Sequence, residues 1–328
     1  MRRRDFIKAI VGSAIPWSFA ARAQQSAMPV IGFLCATTAQ GYAAELAAFR
    51  QGLNQNGFAE GHNVAIEYRW ADDQNDRLPA LAADLVRRQV TVIAAAGSTP
   101  AALAAKAATS TIPIVFYVGV DPVTAGLVTS LAQPGGNITG VTTMNAEVVP
   151  KRLELTHELM PTATTMALLV NPTSPTLADT STKEAQAAAQ TLGLQLIVFQ
   201  ASTEPDLDKV FATAVQLRAG AIVISPDAWF NSLSKQLAAL TLHYAMPTIY
   251  QFRQFAAAGG LLSYGGSVLE FNRQIGVLAG RILKGEKPAD LPVQQSTRME
   301  LFINLKTAKA LGLTIPLSLL GRADEVIE

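Results

Sequence analysis

Residues 30–34 form an unbroken apolar run, and between residues 42 and 56 Leu46, Phe49 and Leu53 recur on one face of a 3.6-residue period before Gly57 interrupts it. A short buried strand followed by an amphipathic helix is the unit this predicts. The unit recurs: strand-like at 64–68, 90–95 and 112–118, helical at 78–88 and 100–108. Residues 116–145 hold an apolar run, Asp121-Pro122, a helix-like segment, a Pro134-Gly135-Gly136-Asn137 turn and a second apolar run. After Asn145 the pattern restarts, with helices at 153–160, 174–192 and 207–217 and strands at 166–170, 194–199, 221–225, 247–250 and 260–264. Thr203-Glu204-Pro205-Asp206 supplies a cap, acids at the positive end of the dipole and a proline in the first turn of the third of these helices. Alternating strand and helix periods imply βαβ units and parallel sheets covered on both faces, here in two similar α/β halves. A tail follows. Phe271, Ile275, Leu278 and Ile282 mark an amphipathic helix, 299–304 a strand and 307–311 a short helix. This tail is expected to cross back between the halves and leave neither continuous.

The first residues stand outside this pattern. A basic head, an apolar stretch over residues 9–20 and Ala21-Arg22-Ala23 before Gln24 have the layout of an export signal cut after about Ala23. Arg3-Arg4 followed by Asp5-Phe6 gives it a twin-arginine character. The apolar stretch is short for a membrane span. The sequence thus predicts a leader at 1–23 and a periplasmic mature chain. Removal of the leader would leave 21 basic and 24 acidic residues, a net charge of −3 against +1 for the whole chain. Neither balance offers the basic surface that nucleic acid requires. Cys35 is the single cysteine, so no disulfide can form within the chain, and its place in an apolar strand marks it as a buried small residue.

No metal or cofactor is expected. His62, His157 and His243 do not pair at helical spacing, and His157-Glu158 lacks the second histidine of a zinc-protease motif. Nucleophile-elbow and phosphate-loop patterns are absent, and Cys35-Ala36-Thr37-Thr38 stands where a dinucleotide-binding turn would place glycines. Small polar groups recur instead at the carboxyl ends of strands, where parallel sheets bind ligands. The candidates are Thr37 and Thr38; Ser98 and Thr99; Asp121; Thr142 and Thr143; Asn171, Thr173 and Ser174; Asp227; and Tyr264. Ser98, Thr99 and Ser174 also suit helix caps, and Asn171, Asp227 and Asp121 suit turns or a helix start. Tyr42, Trp229, Phe230, Tyr250, Phe252 and Tyr264 are candidates to wall a cleft, each with core packing as its alternative.

Asp121-Pro122-Val123, Gly126-Leu127-Val128 and Pro134-Gly135-Gly136-Asn137-Ile138-Thr139-Gly140 resemble the signature of a bacterial family of ABC-transporter substrate-binding proteins. Asn171-Pro172 and the segment from Asn304 to Leu313 extend the resemblance over nearly all of the mature chain. It implies the type I periplasmic binding protein architecture: two Rossmann-like lobes with parallel sheets, joined by crossing hinge strands, with the ligand between them. On that basis lobe 1 is expected over 28–143 with tail residues 266–290, and lobe 2 over 144–265 with 291–320. The Gly-Gly turn is expected to lead lobe 1 towards the crossover, and Asp121 to face the gap. The implied function is capture of a small polar or aromatic solute, an amino acid or aromatic acid, without chemistry. The implied partners are that solute and a membrane permease of an ABC transporter, with the protein itself a monomer. An exported hydrolase using Asp121 or Asp227 as base, and a solute sensor for a membrane receptor, are the alternatives. Thr37, Thr38, Tyr42, Ser98, Thr99, Asp121, Thr143, Asn171, Thr173, Ser174, Asp227, Phe230, Tyr250 and Tyr264 make up the expected ligand-binding set.

Overall fold

The computed structural model describes residues 28–295 and 298–328; the expected leader lies outside the described residues. The first half runs β1 (Val30–Cys35), α1 (Ala43–Gln55), β2 (Ala65–Trp70), α2 (Leu78–Arg87), β3 (Val92–Ala96), α3 (Thr99–Ala108), β4 (Ile114–Val118) and β5 (Ile138–Thr142). The second runs α4 (Val149–Leu159), β6 (Thr165–Val170), α5 (Pro175–Leu192), β7 (Gln195–Gln200), α6 (Glu204–Gln216), β8 (Ile222–Ile224), α7 (Ala228–Ser232), α8 (Ser234–His243), β9 (Thr248–Tyr250), α9 (Arg253–Ala257) and β10 (Leu262–Gly265). The tail adds α10 (Val268–Leu283), β11 (Gln294–Gln295), β12 (Glu300–Asn304), α11 (Leu305–Ala310), α12 (Leu317–Leu320) and β13 (Glu325–Ile327).

Two sheets result. Lobe 1 carries the order β11-β5-β4-β3-β1-β2, parallel throughout, and lobe 2 the order β13-β12-β10-β9-β8-β6-β7, in which only the β10–β12 pair is antiparallel. Buried on both faces, these strands read as continuous apolar runs: β3, β4 and β8 have no exposed position. The chain passes between the sheets three times, after Thr142, after Gly265 and between Gln295 and Glu300. It pairs with the first sheet through Gln295, five residues beyond the expected handover at 290.

The second passage delivers α10 to lobe 1. There it lies against α1 so closely that a Cβ on Gly52 would fall on the carbonyl oxygen of Arg273, and one on Gly276 on that of Phe49. Arg152 of α4, fully buried, ties the passages together. Its guanidinium donates to the Asn145 carbonyl (3.0 Å) and Oδ1 (2.8 Å) after the first crossing, and to the Tyr264 carbonyl (2.8 Å) before the second.

Two local expectations change. Residues after Asp121 form turns, not a helix, because Asp121 accepts from the Val123 amide (2.9 Å) and the Thr124 hydroxyl (2.9 Å) and closes the chain on itself. The Gly135-Gly136 turn, at φ +75° and +63°, lies at the amino end of β5, so it starts the last long strand of lobe 1 at the end far from the crossover. The α6 helix begins at Glu204 with Thr203 as its cap and Pro205 in its first turn, as the sequence predicts, and Asp206 closes a capping box.

Candidate functional site

In a sheet ordered 2-1-3-4-5 the winding reverses beside the first strand, and loops on either side diverge to leave a crevice at the carboxyl ends. Lobe 1 has that reversal between β1 and β3, and lobe 2 between β6 and β8. The loops leaving those four strands carry Thr37, Gly97-Ser98, Asn171–Ser174 and Asp227, and the structure sets the two crevices face to face. Three adjoining compartments that share lining residues lie between them, each narrow enough to admit about one water molecule.

The outer compartment takes Thr37, Asp73, Asn75 and Ser98 from lobe 1, and Asn171, Ser174, Asp227 and Trp229 from lobe 2. Asp227 is its fixed element. Its Oδ1 accepts from Asn171 Nδ2 (2.9 Å) and the Trp229 amide (3.0 Å), and its Oδ2 from the Ser174 hydroxyl (2.8 Å). Burial raises its pKa, and these donors act against the rise. Asp73 faces the same compartment from the other lobe. Burial, and next the charge of Asp227, lift its carboxyl to about 6. Its Oδ1 is shielded from solvent and has no hydrogen-bond partner. Asn75 crosses the gap: its Nδ2 donates to the Thr173 carbonyl (3.0 Å) and hydroxyl (3.2 Å).

The central compartment adds Thr99, Tyr117, Thr143, Asn145, Asn231 and Phe252. Ser98 caps α3 by accepting from the Ala101 amide (3.2 Å), while the Thr99 hydroxyl, also buried, has no partner. The inner compartment is closed by Tyr42, Tyr117, Glu45 and Val268. The Tyr42 hydroxyl donates to Asn272 Oδ1 on α10 (2.7 Å), which fixes the ring. Burial holds Glu45 above the usual carboxylate range. No Lys, Arg or His lines any of the three compartments. The walls are therefore aromatic, with acids and hydroxyls between the rings.

Of the residues expected from the sequence, Thr37, Tyr42, Ser98, Thr99, Thr143, Asn171, Ser174 and Asp227 line this cavity. The others stand elsewhere. Thr38 accepts from the Gly41 amide in its own turn (3.1 Å). Thr173 lies on the outer surface and receives Asn75. Asp121 borders a separate groove with Glu147, Thr180 and Lys183, and its own amide donates to Glu147 Oε1 (3.0 Å). Phe230 and Tyr250 are fully buried in the core; the Tyr250 ring stacks on Phe255, and its hydroxyl meets that of Thr241 (2.6 Å). Tyr264 packs on the apolar cluster beneath α4 and α5. Asp73, Asn75, Glu45, Tyr117 and Asn231 were not anticipated.

For chemistry the cavity is poorly equipped. The Ser174 hydroxyl is held by the Asp227 carboxylate, the Ser98 hydroxyl caps a helix, and no histidine lines the compartments to activate either. Cys35 is buried beside Thr37 with its thiol pushed up to about 12, so it is not a thiolate. Among the described residues no group of His, Cys, Asp and Glu could hold a metal ion, and no helix is long and apolar enough to cross a membrane.

Residues 10–327 match the family model of ABC transporter substrate binding proteins. The chain belongs to that family. Members bind small-molecule solutes and work with ABC permeases, and they are typically exported to the periplasm. Over 265 residues the chain is 28% identical to a tyrosine-binding protein of Clostridioides difficile, covering 81% of this chain and 75% of that one. Among solved structures, a conserved domain protein from Vibrio cholerae superposes with a TM-score of 0.83 at 26% identity, covering 91% of this chain and 99% of that one. A Streptococcus pneumoniae ABC domain in complex with L-Trp gives 0.81 at 26% identity and the same coverage. The ligand-free, open structure of a Clostridium difficile substrate binding protein gives 0.64 at 25% identity, again over 91% and 99%.

Proposed function

We propose that this substrate-binding protein captures an aromatic α-amino acid in the periplasm, closes its lobes on it and presents it unaltered to an ABC permease. The observation that carries the reading is the lining: carboxylates Asp73, Asp227 and Glu45 among Tyr42, Tyr117, Trp229 and Phe252, with no cation in any compartment. Such a cavity favours a solute bearing an ammonium group and an apolar ring. At the start of α3, where Pro100 has no amide hydrogen and Ser98 takes the Ala101 amide, the unpartnered Thr99 hydroxyl is the donor left for the solute carboxylate. The names of relatives that bind tyrosine and L-Trp agree with this chemistry. The better superposition on the L-Trp complex than on the open structure, at matching identity and coverage, supports a closed arrangement here. Closure is a hinge motion at the three passages between the lobes, held in register by Arg152. The protein works as a monomer with no nucleic acid partner, and a cleaved leader at 1–23 delivers it.

A thermal-shift panel of amino acids, aromatic acids and sugars on the mature chain tests this. L-tyrosine, L-tryptophan or L-phenylalanine should raise the melting temperature by mass action and be recovered unchanged. A shift with sugars alone, or conversion of the hit, would refute it.

A further inference from the structure

The outer compartment brings one carboxylate from each lobe together. Asp227 is immobilised by three donors of its own lobe. Asp73 follows β2, its amide donating to the Ala36 carbonyl (2.9 Å), and its Oδ1 is enclosed with nothing to bond. Resting on the amine-binding reading above, we infer that Asp73 is a specificity-determining residue. Its carboxylate meets that of Asp227 only when the lobes close, so closure without a cation between them is penalised, and ammonium-bearing solutes are selected over deaminated counterparts.

The surrounding charges do not relieve the pair. On the same loop Asp72 is matched by Arg77 (2.6 Å), whose guanidinium also donates to the Ala71 carbonyl (3.1 Å) and is thereby occupied. Asp76 lies on the loop as well, Glu204 acts on Asp73 from the start of α6, and Glu45 lies in the inner compartment. Everything unpaired that faces Asp73 is acidic. Two residues along, Asn75 bonds directly to lobe 2, so the loop carries opposed effects: a neutral contact that favours closure and a charge that resists it. The resistance depends on pH. Asp73 is lifted to about 6 by burial and by Asp227. In the closed form it therefore takes up a proton that the open form, nearer the ordinary value, does not. Closure without solute becomes easier as pH falls through about 6 and gains nothing more below the ordinary carboxyl value.

The test is small-angle scattering of the solute-free mature chain at about pH 8 and about pH 5, for the wild type, Asp73→Asn and Asp72→Asn, with affinities for L-tyrosine and 3-(4-hydroxyphenyl)propionate measured on each. Asparagine suits the left-handed backbone of Asp73, at φ +63°, so the loop should keep its form. The wild type should be extended at the higher pH and more compact at the lower. Asp73→Asn should be compact at both, and its preference for the amine should fall by roughly tenfold or more, from the loss of a charge-assisted contact. Asp72→Asn, which removes one neighbouring negative charge and releases Arg77 to offset Asp73, should move part of the way towards the compact form at the higher pH. Identical scattering of wild type and Asp73→Asn at both pH values, or an unchanged preference, would overturn the inference. Failure of the wild type to bind either aromatic would remove the amino-acid reading, and the solute-free scattering would still decide the role of Asp73.

Discussion

In lobe 2 the polar groups facing the cavity are bound to one another: Asn171, Ser174 and the Trp229 amide all converge on Asp227, and Asn171 Oδ1 in turn accepts from Thr173 (2.9 Å). In lobe 1 the corresponding groups are left short, with Asp73 Oδ1 and Thr99 Oγ1 both enclosed and unpartnered. Five strands of each sheet follow the same order, with the same reversal of winding, so the difference at the cavity lies in the loops. A polar group that is already satisfied fixes a shape, whereas one that is not gains free energy when a ligand arrives. Lobe 2 is thus a preformed receiving surface, and lobe 1 supplies the groups whose desolvation the solute must repay. Substitutions of the cavity-facing groups of lobe 2 should therefore cost both stability and affinity, and those of the unpartnered groups of lobe 1 affinity alone.

Asp227→Ala should have the largest effect. It strands Asn171 and Ser174 in a buried site, which should lower unfolding free energy by about 2 kcal/mol and weaken aromatic amino acid binding by roughly a hundredfold, read by denaturant titration and calorimetry. A protein as stable as wild type would break the contrast between the lobes. Thr99→Val keeps the shape and removes a hydroxyl with no partner in the solute-free cavity. Melting temperature should hold or rise slightly, while affinity falls roughly fivefold for a lost neutral hydrogen bond. Tyr250→Phe separates core from cavity. Losing the contacts to Thr241 and to the Leu237 carbonyl (3.1 Å) should cost about 1 kcal/mol of stability and leave affinity unchanged; a changed affinity would place Tyr250 within reach of the solute.

The alternation of apolar runs and amphipathic stretches was enough to read both sheets, because parallel strands buried on two faces leave an unmistakable pattern. The strand-end rule also points to Thr37, Ser98, Asn171 and Asp227, which border the cavity because their loops flank the winding reversals. It does not reach Asp73, because the alternation that marks β2 stops at Tyr68 while the strand runs two residues further, to Trp70. Glu45 sits within a helix and Tyr117 within a strand, where sequence period reports which face is buried but not that the burial is against a cavity. Tyr250 fails in the opposite sense: an aromatic near a strand end looks the same whether it points at ligand or at Phe255. Asp121 owed its prominence to a signature motif, and that motif builds a turn and a separate groove. The α8 helix leaves little periodic trace in the sequence, because only Leu237, Ala238 and Thr241 are buried along it.

The most direct test of the cavity's chemistry is a paired calorimetric titration of the wild-type mature chain with L-tyrosine and with 3-(4-hydroxyphenyl)propionate, which differ only in the amine. A cavity of unrelieved acids should bind the amine-bearing partner at least tenfold more tightly and return it intact. Equal affinity, or preference for the deaminated acid, would contradict the account.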